Sequence, residues 1–332
     1  MASDRADAPA QDRSGAISRA GMGIASRSSG GLCSRGRSRA KFLAMRNPAD
    51  ATAAGDDPLR GTRVVSLAIN VPGPVAAARL AALGAEVTKV EPPAGDFLAG
   101  AAPAWYEELS AGQRVMTIDL KSVAGRAELD ALLEQADILI VSSRPSALAR
   151  LGLERATVCA RHPRLCTVSI VGHPSPDSDV PGHDLTYQAE AGLVSPQALP
   201  VTLFSDVAAG IDAAAAALAL LVGRSRSGVG GWREVALVDA ARALAAPRDH
   251  GLTRPGGVLG GGSPGYGLYP ASDGVVAIAA LEAHFLARLV GGLGIAHSDA
   301  SLIAAKIRER RVDEWVTFGR KHDIPIAAVA ST

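Results

Sequence analysis

Between residues 63 and 172 the chain alternates short apolar runs with segments of helical period. This alternation leaves few folds open. "RVVSLAI" (63–69) reads as a buried strand, and "GPVAAARLAALG" (73–84) as a helix that opens after Gly-Pro and stops at Gly84. "EVTKVE" (86–91) is a second strand, closed by Pro92 and Pro93, and "VMTIDL" (115–120) a third. "AGRAELDALLEQA" (124–136) has an amphipathic helical period and is followed by the strand-like "DILIVSS" (137–143). "ERATVCARHP" (154–163) and "LCTVSIVG" (165–172) repeat the helix–strand pair. Strands spaced by helices in this way connect through crossovers, which predicts an α/β fold with a parallel sheet covered on both faces.

The remaining chain extends that frame. Residues 207–223 form an Ala-rich helix whose longest apolar run, "AAAAALALLVG" (213–223), is too short to span a bilayer, so a buried helix is expected. The Gly and Pro content of residues 247–267 marks a linker or mobile loop. "GVVAIAAL" (274–281) is strand-like and "EAHFLARLVGGLG" (282–294) helical, with two charged helices near 300–310 and 312–322. The expected division is a large unit over 58–245, a linker over 246–262 and a small α/β unit over 263–332. Residues 1–57 are rich in Ser, Gly, Arg and Ala without an apolar period. They are expected to be disordered, or to lie upstream of a true start at Met45.

Charge and cysteine usage narrow the function. With 34 Lys and Arg against 33 Asp and Glu the net charge is +1, which points to neither nucleic acid nor an acidic membrane surface. Cys33, Cys159 and Cys166 show no CxxC spacing, which argues against a zinc site or a disulfide scaffold and suits a reducing cytoplasm. No GxGxxG follows the first strand, so a dinucleotide fold of the usual type is unsupported. GxxxxGK[ST] and HExxH are also missing, and no GxSxG elbow joins a strand to a helix. "GGGSPGYG" (260–267) reads as a flexible turn rather than a phosphate cradle.

"PGHDLTYQAEAG" (181–192) places His183 beside Asp184 just before a helix. Read locally, Asp184 and Asp206 are helix N-caps, worth about 1 kcal/mol each to the fold. His183 is then a partly buried structural residue and Glu282 a first-turn carboxylate placed for the helix dipole. Lys121, Arg144 and Arg150 are solvated surface charges on the same reading. The chemical alternative makes His183 and Asp184 part of an active site. Asp206, at the start of an apolar helix, then sits where free N–H groups favour an anion.

Several segments together resemble the family III CoA-transferases of the CaiB/BaiF type, the group that also contains the α-methylacyl-CoA racemases. They are "PLRGTRVVSLAINVPGPVAAARLAALGAEVTKVEPPAGD" (58–96), "RVMTIDLKSVAGRAELDALLEQADILIV" (114–141), "RPSALARLGL" (144–153), "PGHDLTYQAEAG", "FSDVAAGIDAAAAALALL" (204–221), "GGGSPGYGLYPASDG" (260–274) and "AALEAHFLARLVGGLG" (279–294). The resemblance implies a large Rossmann-like CoA-binding domain, a small α/β domain and an interlocked homodimer. The dimer would bring the large domain of one chain against the small domain of the other. Relative to the family, the linker and the C-terminal segment are shortened.

In the racemase branch the resemblance assigns His183 and Asp206 to opposite faces of a thioester enolate, with Glu282 orienting the histidine and Asp184 beside it. The N–H groups at the start of the Asp206 helix are expected to receive the enolate oxygen. Lys121 and Arg150, with Arg144 as a further candidate, would contact the phosphates or adenine of coenzyme A. Coenzyme A enters as part of the acyl-CoA substrate, with no permanently bound cofactor and no metal. Two alternatives are a CoA-transferase working through an acyl anhydride on Asp206, and an inactive CoA-binding member of the family.

Overall fold

A computed structural model of the protein describes residues 57–330. The expected disordered or misassigned extension, apart from Asp57, lies outside the described residues.

Six strands make one parallel sheet: β1 (Arg63–Ser66), β2 (Glu86–Glu91), β3 (Arg114–Thr117), β4 (Ile138–Val141), β5 (Cys166–Val171) and β6 (Gly231–Ala236). Their order is β3-β2-β1-β4-β5-β6, and each neighbouring pair is parallel. This is the doubly wound order, reached without a GxGxxG loop: the turn after β1 reads "LAINVPGP" instead. Strand order reverses between β1 and β4, which opens a crevice beyond their carboxyl ends.

Alternation along the central strands sends apolar side chains to both faces. Val64, Ile138, Ile140, Val168 and Ile170 meet α1 (Pro72–Ala82) and α8 (Phe204–Ser227) on one side. Val65, Leu139 and Val141 meet the apolar faces of α4 (Val123–Leu133), α5 (Pro145–Arg150) and α6 (Arg155–Arg161) on the other. Two short helices, α2 (Phe97–Ala101) and α3 (Pro103–Ser110), pack through Leu98 and Leu109 against Val71 and Val75 at the start of α1. The chain then adds α7 (Asp184–Glu190) before α8, and α9 (Leu237–Asp249) after β6.

The contact between α1 and α8 is built from small residues. Ala76, Ala77, Ala213, Ala214 and Ala217 are all buried there. Gly210 lies so close that a Cβ on it would stand 2.7 Å from the Pro72 carbonyl oxygen and 2.7 Å from Val75 Cγ1. The expected fully buried helix is thereby corrected: α8 buries only the side that touches α1, the sheet and α9, while Ile211 and Val222 on its other side are exposed. By length and composition α8 is also apolar enough to cross a membrane, contrary to the length argument made on the shorter run.

The segment expected to be a linker from residue 246 begins as helix. α9 continues past Pro247 to Asp249, because its last turn is pinned by Arg248, whose guanidinium donates to the carbonyls of Ala191 and Gly192 at the end of α7. A glycine-rich turn at Val258–Gly262 follows, in which Gly261 has φ +95°. The remaining chain has its own antiparallel sheet, in the order β7 (Tyr266–Pro270), β8 (Val275–Ala279) and β9 (Ile326–Ala328). A separate core there joins Val276, Ile278, Leu289, Ile303, Ile307 and Trp315 from β8, α10 (Ala283–Leu293), α11 (Ala300–Ile307) and α12 (Val312–His322).

The tight seam makes two glycines of α8 respond in opposite directions. Gly→Ala in an open helix interior stabilises by about 0.5–1 kcal/mol. Gly223→Ala is expected to do so, since nothing lies within 4 Å of its Cβ position. Gly210→Ala must instead push α1 away, and overpacking costs about 1–3 kcal/mol. Urea denaturation of the two variants should move the midpoint up for the first and down for the second.

Candidate active site

A cavity of about 610 Å³ lies at the carboxyl ends of β1, β4 and β5. Its wall includes Ile69, Asn70 and Pro72 after β1, Ser142, Ser143 and Arg144 after β4, and Gly172 after β5. His183, Tyr187 and Asp206 line the same space. The two residues assigned to opposite faces of an enolate therefore open into one chamber.

Neither aspartate is an N-cap. The cap position of α7 is His183, whose exposed side chain leaves Asp184 as the first helical residue, and the cap position of α8 is Leu203. Asp184 does cap, but across the chain. Its carboxylate is buried, and Oδ1 accepts a 3.0 Å hydrogen bond from the backbone N–H of Asp206 in the first turn of α8. Oδ2 accepts from the amide of Gln188, a buried residue one turn on. A bond of this kind to a charged acceptor is worth about 1.5–3 kcal/mol. It also occupies the Asp206 N–H, one of the groups at the start of α8 expected to receive the enolate oxygen.

The other end of the connection is equally fixed. Ser205 Oγ donates to the Leu237 carbonyl at the start of α9 over 2.6 Å. Thr186 Oγ1 accepts from the His183 N–H and donates to the His183 carbonyl, which sets the entry into α7. Both helix starts are therefore held independently of any ligand.

The Asp206 carboxyl is pushed up to about 7, first by burial and then by the neighbouring Asp184 carboxylate. A carboxyl group with that value exchanges its proton at neutral pH, as an acid–base group must.

Tyr187 was missed in the sequence. Its ring is buried and wedged between Gly172 and Gly182, where a Cβ on either glycine would stand 2.3 Å or 2.6 Å from its hydroxyl oxygen. Burial, Asp206 and Glu190 raise its pKa, so it remains a hydroxyl donor in the cavity wall. The available signal was spacing: residues 183 and 187 are four apart at a helix start and share a face.

The expected coenzyme A cations are divided between two spaces. Arg144 and Arg150 line the cavity with His183 and Asp206. Lys121 lines a second cavity of about 460 Å³, walled by Leu67, Val90, Glu91, Pro92, Ile118 and Leu120. Ile69 and Ser143 belong to both walls, so the two spaces adjoin. Glu282 is exposed at the cap position of α10 and is not among the residues lining either cavity of its own chain. Among the described residues no three His, Cys, Asp or Glu side chains gather where they could hold a metal ion.

Comparison with known proteins adds a family to this geometry. Residues 59–332 match the sequence profile of CoA-transferase family III. The chain is 31% identical over 267 residues to the succinate–glutarate CoA-transferase of Agrobacterium fabrum, covering 72% of this chain and 67% of that protein. It is 28% identical over 288 residues to human α-methylacyl-CoA racemase, covering 79% of this chain and 70% of that one. For two other curated relatives the match spans little more than half of their length, 52% and 54%. The structure superposes on a CAIB/BAIF family protein from Brucella suis with a TM-score of 0.69 at 25% identity, over 82% of this chain and 84% of that one.

The carboxyl group of Asp206 has a consequence for stability. Unfolded, it titrates near 3.9; folded, near 7. Between those values the folded chain keeps a proton that the unfolded chain has lost, so stability falls as pH rises through the window. Asp206→Asn removes that penalty. Denaturant titrations should find the variant more stable than the parent at pH 8, by up to a few kcal/mol, with the difference gone near pH 4.

Proposed function

Because the chain belongs to CoA-transferase family III, we propose that it is an acyl-CoA enzyme of the α-methylacyl-CoA racemase type, with His183 and Asp206 as its acid–base pair. The observation that carries this reading is the shared cavity, in which a histidine and a carboxyl group near pH-neutral titration face the same space. Inverting a carbon next to a thioester carbonyl requires one group to take the α-proton and another to return a proton from the opposite side. A carboxyl group of pKa about 7 exists in both acid and base forms at neutral pH, so Asp206 can take up or give a proton.

The negative charge that builds on the thioester oxygen in this scheme needs a donor. The Tyr187 hydroxyl lies in the same wall, held by Gly172 and Gly182, and is our candidate. A preorganised donor of this kind lowers the barrier by about 3 kcal/mol. The neighbouring cavity with Lys121 suits the nucleotide end of coenzyme A, since its wall is apolar apart from a few charged groups. Arg144 and Arg150 would then meet anionic groups nearer the thioester. The role of Glu282 toward His183 requires a second copy of the chain and stands or falls with the homodimer.

A CoA-transferase is the second reading, favoured by the transferase named among the relatives. Asp206 would attack the acyl-CoA thioester, expel the CoA thiolate and form a mixed anhydride, which a second carboxylate and CoA then resolve. That role needs the ionised carboxylate. Its raised pKa makes Asp206 a weaker fit to nucleophile than to acid–base group at neutral pH.

One assay separates the readings. In heavy water the enzyme should wash deuterium into the α-position of a 2-methylacyl-CoA, followed by mass spectrometry. His183→Ala should lower the exchange rate by about 10²–10⁴-fold. Full exchange in that variant would overturn the assignment. Transfer of CoA to an added carboxylic acid, with a hydroxylamine-sensitive adduct at Asp206, would establish the transferase instead. CoA binding without either reaction would leave a binding protein.

A further inference from the structure

Lys89 is almost fully buried at 1% exposure, yet it sits in a strand of the central sheet with a charged head. Its ammonium donates to Glu91 Oε1 and to Asp96 Oδ2, each over 2.7 Å, and lies 4.4 Å from the centre of the Tyr106 ring. The Tyr106 hydroxyl donates to Glu91 Oε1 over 2.8 Å. Burial and the Glu91 carboxylate push that phenol up to about 12, so it stays a donor. A buried ion cluster of this kind is generally no more stabilising than apolar residues of the same volume. Stability alone therefore does not account for it.

The other oxygen of Asp96 shows what the cluster holds. Oδ1 accepts from the Leu98 N–H, capping α2, and from the Asn70 N–H, both over 3.0 Å. Asn70 has φ +71°, a left-handed conformation that costs an L residue about 1–2 kcal/mol. It stands between the end of β1 and Pro72, which has no N–H of its own to anchor the turn. Ile69, Asn70 and Pro72 form the wall of the cavity that contains His183 and Asp206. Glu91, with Pro92 and Pro93, forms part of the wall of the second cavity.

We infer that Asp96 is a positioning residue: it clamps the Asn70 backbone so that the wall between β1 and α1 keeps the shape the reacting group needs, while Lys89 offsets the charge of the buried carboxylate. One ammonium thereby ties together walls of both cavities. This rests on the acid–base reading of the first cavity. A small misplacement made at a distance from the reacting atoms can cost about 10²-fold in rate.

Three variants test it. Asp96→Ala should lower kcat for α-proton exchange by about 10–100-fold and leave the Kd for coenzyme A within about threefold. Asp96→Asn keeps an Oδ1 acceptor for Asn70 while losing the Lys89 ion pair. It should recover most of the lost kcat yet melt earlier than the parent. Asn70→Val leaves the cluster intact but cannot adopt the left-handed conformation, and should match the kcat loss of Asp96→Ala; it serves also if Asp96→Ala does not fold. Unchanged kcat in Asp96→Ala or in Asn70→Val, or an Asp96→Asn rate as low as that of Asp96→Ala, overturns the inference. Amide hydrogen exchange decides the matter without turnover. The Asn70 amide should exchange about 100-fold faster in Asp96→Ala while β5 amides keep their protection. An unchanged Asn70 amide overturns the clamp. Absence of turnover in the parent with the clamp intact would overturn the proposed reaction alone.

Discussion

The close seat of α8 on α1 is the contact from which the rest of the site follows. Gly210 lets the two helices approach until backbone meets side chain, and a row of alanines keeps them there. Both helices begin at the same edge of the sheet. The turn before α1 and the first turn of α8 therefore become two walls of one chamber, at the place where the strand order reverses. A wider helix–helix spacing would separate Asn70 from Asp206.

Electrostatics then divides the labour between two neighbouring aspartates. Asp184 is buried with an N–H donor and an amide donor at its oxygens, and it stabilises the start of α8. Asp206 is desolvated and faces the Asp184 carboxylate, so its proton is held to near neutral pH. The same residue type serves once as a structural acceptor and once as a proton-exchanging group, and environment alone separates them. The Lys89 cluster shows the same logic on the far side of the cavity: one oxygen of Asp96 answers a buried cation, and the other fixes a backbone turn.

Much of this was legible in the residues. The alternation from 63 to 172 set the parallel sheet and most element positions, because a strand buried on both faces must be continuously apolar and its crossover helix must carry a periodic face. The family resemblance singled out His183 and Asp206, which line one cavity in the folded chain. The pattern was weaker where side chains act at long range. Asp184 read as a cap for its own helix and instead caps another, since the backbone N–H it meets is 22 positions away in the chain. Pro247 read as the start of a linker, but the Arg248 contacts to α7 carry the helix past it. Composition made α8 look buried all round, whereas an outer-layer helix needs only one packed side.

The sequence by itself determined the class of fold, the order of its elements and the kinds of chemistry on offer, because these depend on local periodicity and residue type. Only the tertiary structure decided which groups share a space. It divided the expected cations between two adjoining cavities, brought Tyr187 into the wall, left Glu282 outside it in a single chain, and raised the Asp206 carboxyl group to near neutrality. Each of those outcomes depends on burial and on charges distant in the chain, and desolvation has no signature in a string of residues until the chain has folded around it.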